Sequence, residues 1–128
     1  LGFEAASRGA ASVQLVESDA ALVAQLHTLQ QRLQATAMRV QRGDGVAALK
    51  QAAPASLDLV LLDPPFDSDL FNPALQAAAQ AVAADGFVYL EAPRAWGDEE
   101  LAAWGLAVHR HLKAGAVHAH LLRRAVPL

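Results

Sequence analysis

The run Leu57-Asp58-Leu59-Val60-Leu61-Leu62 stops abruptly at Asp63-Pro64-Pro65-Phe66. Near-continuous apolarity over six residues predicts a strand buried on both faces, and such strands belong to parallel sheets covered by helices. The stop constrains the chain as much as the run does. Pro64 and Pro65 fix φ and carry no N–H, so the backbone leaves the sheet rigidly. A residue that precedes proline is kept out of the helical region, so Asp63 stays extended. The expected result is a stiff loop at the carboxyl edge of a sheet. It presents a carboxylate, unpaired carbonyls and an aromatic ring, a shape suited to clamping a flat molecule that bears an amino group.

The remainder of the chain supplies the rest of such a sheet. Leu1 to Ser7 is helix-compatible, with Arg8-Gly9 as its stop. Ser12 to Val16 reads as a strand ending at Glu17, and Asp19 as the N-cap of a helix from Ala20 to Leu33. Leu22, Leu26, Leu29 and Leu33 share one face of that helix. Met38 to Gln41 is a second strand, closed by Gly43-Asp44-Gly45, and Val46 to Ala52 a short helix that Pro54 ends. Beyond the proline loop, Asn72 and Pro73 predict a helix start, with the helix running to Ala84 and a turn at Asp85-Gly86. Phe87 to Glu91 is the next strand, and Asp98 caps a helix through Ala103. Leu106 to Leu112 and Ala116 to Arg123 form a closing hairpin around Ala114-Gly115. This alternation predicts the α/β class: a mostly parallel sheet with helices on both faces and an antiparallel strand added by the hairpin.

Composition narrows the function classes. A chain of 128 residues is expected to form a single domain. It has no cysteine, which excludes disulfides and thiolate metal sites and agrees with a reducing compartment such as the cytoplasm. A formal net charge of −3 excludes a chain that is basic overall; Arg32, Arg39 and Arg42, or Arg123 and Arg124, could form a local basic patch, with solvated surface as the favoured reading. No apolar run approaches the ~20 residues of a membrane span, and no signal-peptide pattern opens the chain.

Open α/β sheets bind ligands at the carboxyl ends of their strands. Glu17, Asp44 and Asp63 are the acids placed there. Glu17 can accept from a ribose diol, or serve only as a surface acid beside Asp19. Asp44, between two glycines, can accept from an amino group, or sit in an ordinary turn. Asp63 is the strongest candidate because a double proline and a ring follow it. His109, His111, His118 and His120 are expected on one solvent-facing side of the hairpin, with His111 opposite His118. Val108, Leu112, Val117 and Leu121 form the expected core side. A zinc site is the lesser reading, and no metal is expected. Trp96 and Trp104 are expected to pack as core or lid, and Arg94 to be a solvated loop residue at the ligand edge.

Taken in order, Leu1-Gly2-Phe3-Glu4-Ala5-Ala6-Ser7-Arg8-Gly9-Ala10, Leu15-Val16-Glu17, Gly43-Asp44 and Leu61-Leu62-Asp63-Pro64-Pro65-Phe66 resemble the RsmD family. That family methylates a guanine N2 amine in small-subunit ribosomal RNA, using S-adenosylmethionine on a Rossmann-like sheet. The Asp-Pro-Pro-Phe motif marks amino-group methyltransferases broadly, and the Glu-Ala-Ala-Ser-Arg-Gly-Ala segment points to RsmD more narrowly. The resemblance covers nearly the whole chain. It implies that Glu17 binds the cofactor ribose, that Asp44 meets the adenine amine, and that Ser18 and Gly45 line the same site. It implies that Asp63 and the Pro64 carbonyl hold the target amine and that Phe66 stacks on the base, with Pro65 part of the same catalytic loop.

The sequence departs from the family at its start. A first strand, a glycine-rich loop and a basic extension precede the segment that here begins at Leu1. The expectation is therefore an N-terminally truncated catalytic domain, whose missing strand would lie between those ending at Glu17 and Asp63. Two other readings stay open: methylation of an adenine or cytosine amine in DNA or another RNA by the same loop, and a non-catalytic module that keeps the fold and binds RNA or protein.

Overall fold

The computed structural model describes residues 12–36 and 38–125. The expected opening helix lies outside them. The chain divides into two compact units, Leu1–Ala48 and Leu49–Leu128.

In the first unit, β1 (Val13–Glu17) leads through α1 (Ala20–Leu33) to β2 (Met38–Arg42), and α2 (Gly45–Gln51) follows. The two strands are parallel, with Val13 opposite Met38 and Glu17 opposite Arg42. Asp19 caps α1 as its position predicts: its Oδ1 accepts from Ala21 N–H at 2.8 Å and Leu22 N–H at 3.2 Å. Gln34 ends the helix in the left-handed region at φ 52°. The leucine face of α1 is open, however. Leu22, Leu29 and Leu33 are exposed, and Val23 is the buried residue of the helix. Gln30 anchors α1 instead, donating from Nε2 to the Met38 carbonyl at 2.6 Å.

The second unit holds β3 (Leu57–Leu62), α3 (Phe71–Ala81), β4 (Val82–Ala92) and α4 (Asp98–Leu101). A 3₁₀ turn (Ala102–Trp104) follows, then β5 (Leu106–Ala114) and β6 (Val117–Arg124). Their sheet has the order β3-β4-β6-β5. β3 and β4 are parallel, joined through α3, and β6 is antiparallel to both of its neighbours. The core is made of small apolar residues, as the low aromatic content requires: Ala74, Leu75, Ala77, Ala78 and Ala81 of α3 against Val82, Val88 and Leu90 of β4. Among the described residues no helix is long and apolar enough to cross a membrane.

Four expectations are corrected. β3 is not buried on both faces, because it lies at an edge of its sheet; Val60 and Leu62 are buried while Leu59 is exposed. Asn72 does not cap α3. The helix starts two residues earlier, after Leu70, and ends at Ala81, so Asp85-Gly86 falls inside β4. Gly86 serves close packing there: a Cβ on it would lie 2.7 Å from the Asp58 carbonyl oxygen and 3.0 Å from that of Leu57. Asp98 is the first residue of α4 rather than its cap; its Oδ1 accepts from the Val108 N–H at 2.7 Å and ties α4 to β5.

The hairpin correction is the largest. Ala114 pairs with Val117, so the turn is Gly115-Ala116, with Gly115 at φ 61°. His111 then opposes His120, and His109 falls at an irregularity between Val108 and Arg110. The buried side carries His120 and Leu122, both fully inaccessible, while Leu112 of the expected core side is 69% exposed.

Candidate functional site

The proline loop forms at the carboxyl end of β3 as its residues dictate. Leu62 pairs with Leu90, so Asp63 stands level with Glu91 one step further along two parallel strands. Paired residues of a parallel ladder share a face, and side chains alternate along each strand. Leu61, Tyr89 and Glu91 therefore lie on one side of the sheet, and Asp63, the first residue beyond β3, is near enough to Glu91 to feel its charge. The Tyr89 hydroxyl donates to Glu91 Oε1 at 3.0 Å, which fixes one carboxylate oxygen and leaves Oε2 unengaged by the described residues. Partial burial, and then the negative charge of Glu91, push the Asp63 carboxyl above the ordinary aspartate value. Burial likewise raises the Tyr89 hydroxyl, with the hydrogen bond to Glu91 as the second cause.

Beyond Asp63, Pro64 is buried and Phe66 is 40% exposed. Ser68 closes the loop on itself. Its N–H and its hydroxyl both donate to the Pro65 carbonyl, at 3.0 and 2.6 Å. Among the described residues nothing donates to the Pro64 carbonyl. The loop thus offers the three features expected of it: a carboxylate, an open carbonyl and an accessible ring.

A rigid rim supports it. Phe71, the first residue of α3, stacks on Trp96 with centroids 6.0 Å apart. Trp96 is buried, and its backbone N–H donates to His120 Nε2 at 3.0 Å. Since Nε2 accepts, the ring proton sits on Nδ1, which donates to the Leu90 carbonyl at 3.2 Å. His120 is a neutral strut between β4, β6 and the loop after β4, and burial lowers its pKa in keeping with that. Arg94 lies over the Trp96 ring at 4.1 Å and pairs through both terminal nitrogens with Glu100, at 2.8 and 3.0 Å. It is an ion-paired residue rather than a simply solvated one. The Arg94 pair holds the Glu100 carboxyl below its ordinary value.

In the first unit, Glu17 ends β1 opposite Arg42, and the Gly43 N–H donates to the Glu17 carbonyl at 2.9 Å. Glu17, Ser18, Asp44 and Gly45 are thereby gathered at one end of the parallel pair. Glu17 Oε1 accepts from Asp19 N–H at 3.2 Å, and Asp44 Oδ1 from Val46 N–H at 2.9 Å. Among the described residues nothing engages the second oxygen of either carboxylate. Two such acceptors suit a ribose diol and an adenine amine, so the donor set fits S-adenosylmethionine. Among the described residues neither glycine is required by close packing: a Cβ on Gly45 would meet nothing within 4 Å, and one on Gly43 would make ordinary contact with Val16 Cγ1 at 3.8 Å.

Sequence reasoning missed Tyr89, Glu91 and His120. Glu91 was findable as the last residue of the expected strand Phe87 to Glu91, though its partnership with Asp63 was not. His120 was not, because its burial follows from a register the turn residues do not specify. His111 Nε2 and His118 Nδ1 lie 2.8 Å apart, yet among the described residues no group of three His, Cys, Asp or Glu side chains is arranged to hold a metal.

A family described as conserved hypothetical protein 95 matches residues 1–123. A candidate methyltransferase from Escherichia coli, yhhF, is 27% identical, with a TM-score of 0.79 over 99% of this chain and 71% of its own. A candidate methylase from Haemophilus influenzae is 24% identical, with a TM-score of 0.77 over 98% of this chain and 80% of its own. A conserved hypothetical protein from Streptococcus pyogenes is 19% identical, with a TM-score of 0.73 over 91% and 73%. No curated protein matches the chain. The fold is the Rossmann-like fold of methyltransferases, with helix-linked parallel strands and an antiparallel C-terminal hairpin.

Proposed function

The chain belongs to the conserved hypothetical protein 95 family, and on that premise we propose that it is an S-adenosylmethionine-dependent methyltransferase acting on the N2 amine of a guanine in small-subunit ribosomal RNA. The observation that carries the reading is the Asp63 loop at the end of β3, with its carboxylate, its exposed Phe66 ring and a Pro64 carbonyl to which nothing donates among the described residues. The 27% identity to a protein described as a candidate methyltransferase supports the reaction class. The opening segment and the loop together resemble RsmD, and that resemblance supports the substrate.

S-adenosylmethionine, when bound, supplies a sulfonium-activated methyl group. Glu17 would hold its ribose hydroxyls and Asp44 its adenine amine, with Ser18 and Gly45 alongside. The work left to the protein is positioning. A guanine amine is a poor nucleophile because its lone pair is delocalised into the ring. Asp63 and the Pro64 carbonyl can each accept one of its N–H bonds, which favours a more tetrahedral nitrogen and aims the lone pair. Phe66 would stack on the base, and the prolines keep the two acceptors at fixed spacing. An aspartate with raised proton affinity is also suited to hold the proton the amine sheds. A guanine within a duplex must be turned out of the stack or start unpaired to reach this loop.

The reading is tested by incubating the full-length protein with labelled cofactor and either small-subunit ribosomal RNA or DNA, followed by nucleoside analysis. N2-methylguanosine is the expected product. Methyl transfer to DNA alone would reassign the substrate.

A further inference from the structure

Glu91 is a second carboxylate beside the amine clamp. It is the next residue of β4 after Leu90, as Asp63 is the next residue after Leu62, and Leu62 and Leu90 are paired. Tyr89 holds its Oε1 at 3.0 Å, which leaves one charged acceptor oxygen aimed by a hydrogen bond. Adjacent strands lie about 4.8 Å apart, so two carboxylates on neighbouring strands can meet two adjacent donors on one edge of one ring. Nothing in the amine chemistry requires the second carboxylate, since Asp63 and the Pro64 carbonyl already account for both N–H bonds.

The ring atom next to an exocyclic amine differs between bases. In guanine the N2 amine is flanked by N1–H, a donor, on one side and by N3, which carries a lone pair, on the other. In adenine the neighbour of the amine is N1, and in cytosine it is N3; both carry a lone pair and no proton. A fixed carboxylate attracts the first and repels the other two.

We propose that Glu91, oriented by Tyr89, accepts the N1–H of the target base and so selects guanine over adenine and cytosine. This rests on the amine-methylation reading above and adds a specificity-determining residue to it. Glu91 touches the base, whereas Tyr89 acts through Glu91 and is a positioning residue. Discrimination of this kind is strong because a wrong base leaves a desolvated charge facing a lone pair.

The test compares two substrates for the full-length protein: a short RNA reproducing the methylated segment, with guanine or 2-aminopurine at the target position. 2-Aminopurine keeps the N2 amine but has a lone pair at N1. The proposal expects kcat/KM to favour guanine by about tenfold or more, the scale of one charged hydrogen bond. Glu91→Gln should bring that ratio toward one, and Tyr89→Phe should reduce it part of the way, with S-adenosylmethionine affinity unchanged in both. Equal methylation of the two bases by the unaltered protein overturns the role of Glu91 and leaves the amine reading standing. A preference that persists undiminished in Glu91→Gln does the same. Methylation of neither base overturns the reading and the inference together. The comparison on the unaltered protein is decisive even if a variant fails to fold.

Discussion

At Asp63 two requirements meet that pull on the same proton. The carboxyl must be ionised to accept from an amine, yet partial burial and the charge of Glu91 raise its proton affinity. Methyl transfer should therefore fail on the acid side with a midpoint above the ordinary aspartate value of 3.8. Glu91→Gln removes one of the two causes, so the acid limb of kcat/KM against pH should move to lower pH; an unmoved limb would show that Glu91 does not act on Asp63. His120 gives the opposite linkage, and it concerns stability. Its pKa is depressed in the fold, so above the unfolded value near 6.5 it is neutral in both states. As pH falls below that value the unfolded chain takes up the proton first and the fold loses stability. Thermal melts should show the midpoint falling between pH 7.5 and 5.5, with a flatter dependence in His120→Gln. That variant should also cost about 1–3 kcal/mol at pH 7.5, because the Trp96 N–H and Leu90 carbonyl lose a buried partner.

At the scale of elements, β3 and β4 show which parts of a sequence speak for themselves. The strand-then-proline pattern at Leu62 to Pro65 was legible because proline restricts its own φ and its predecessor's. The bounds of α1 were legible because Asp19 supplies a cap wherever the helix starts. Asp85-Gly86 was misread because Asp-Gly is a common turn signal, whereas here Gly86 lets β4 approach the Leu57 and Asp58 carbonyls. Gly86→Ala tests that account. A methyl group 2.7 Å from a backbone oxygen must displace β3 or β4, so denaturant unfolding should show a loss of about 1–3 kcal/mol. A neutral effect would mean the strands move apart freely. The hairpin register failed for a different reason. Ala114, Gly115 and Ala116 allow the turn at two positions, and a small shift decides whether His120 or Leu112 is buried.

Across the whole molecule, the fold class was legible because alternation of strand and helix leaves few topologies, and the parallel β1–β2 and β3–β4 pairs with the closing hairpin follow it. The acids at strand ends were legible one by one, since each strand could be placed on its own. The partnership of Asp63 with Glu91 and Tyr89 was not, because it depends on the level at which β4 meets β3. The central claim is that the Asp63 loop presents a guanine amine for methylation. Its most direct measurement is methyl transfer from labelled S-adenosylmethionine to small-subunit ribosomal RNA by the full-length protein and by Asp63→Ala, with cofactor binding followed by calorimetry. The account predicts N2-methylguanosine from the unaltered protein, and from Asp63→Ala a rate lower by at least about a hundredfold with cofactor affinity retained. Turnover of Asp63→Ala close to that of the unaltered protein would contradict it.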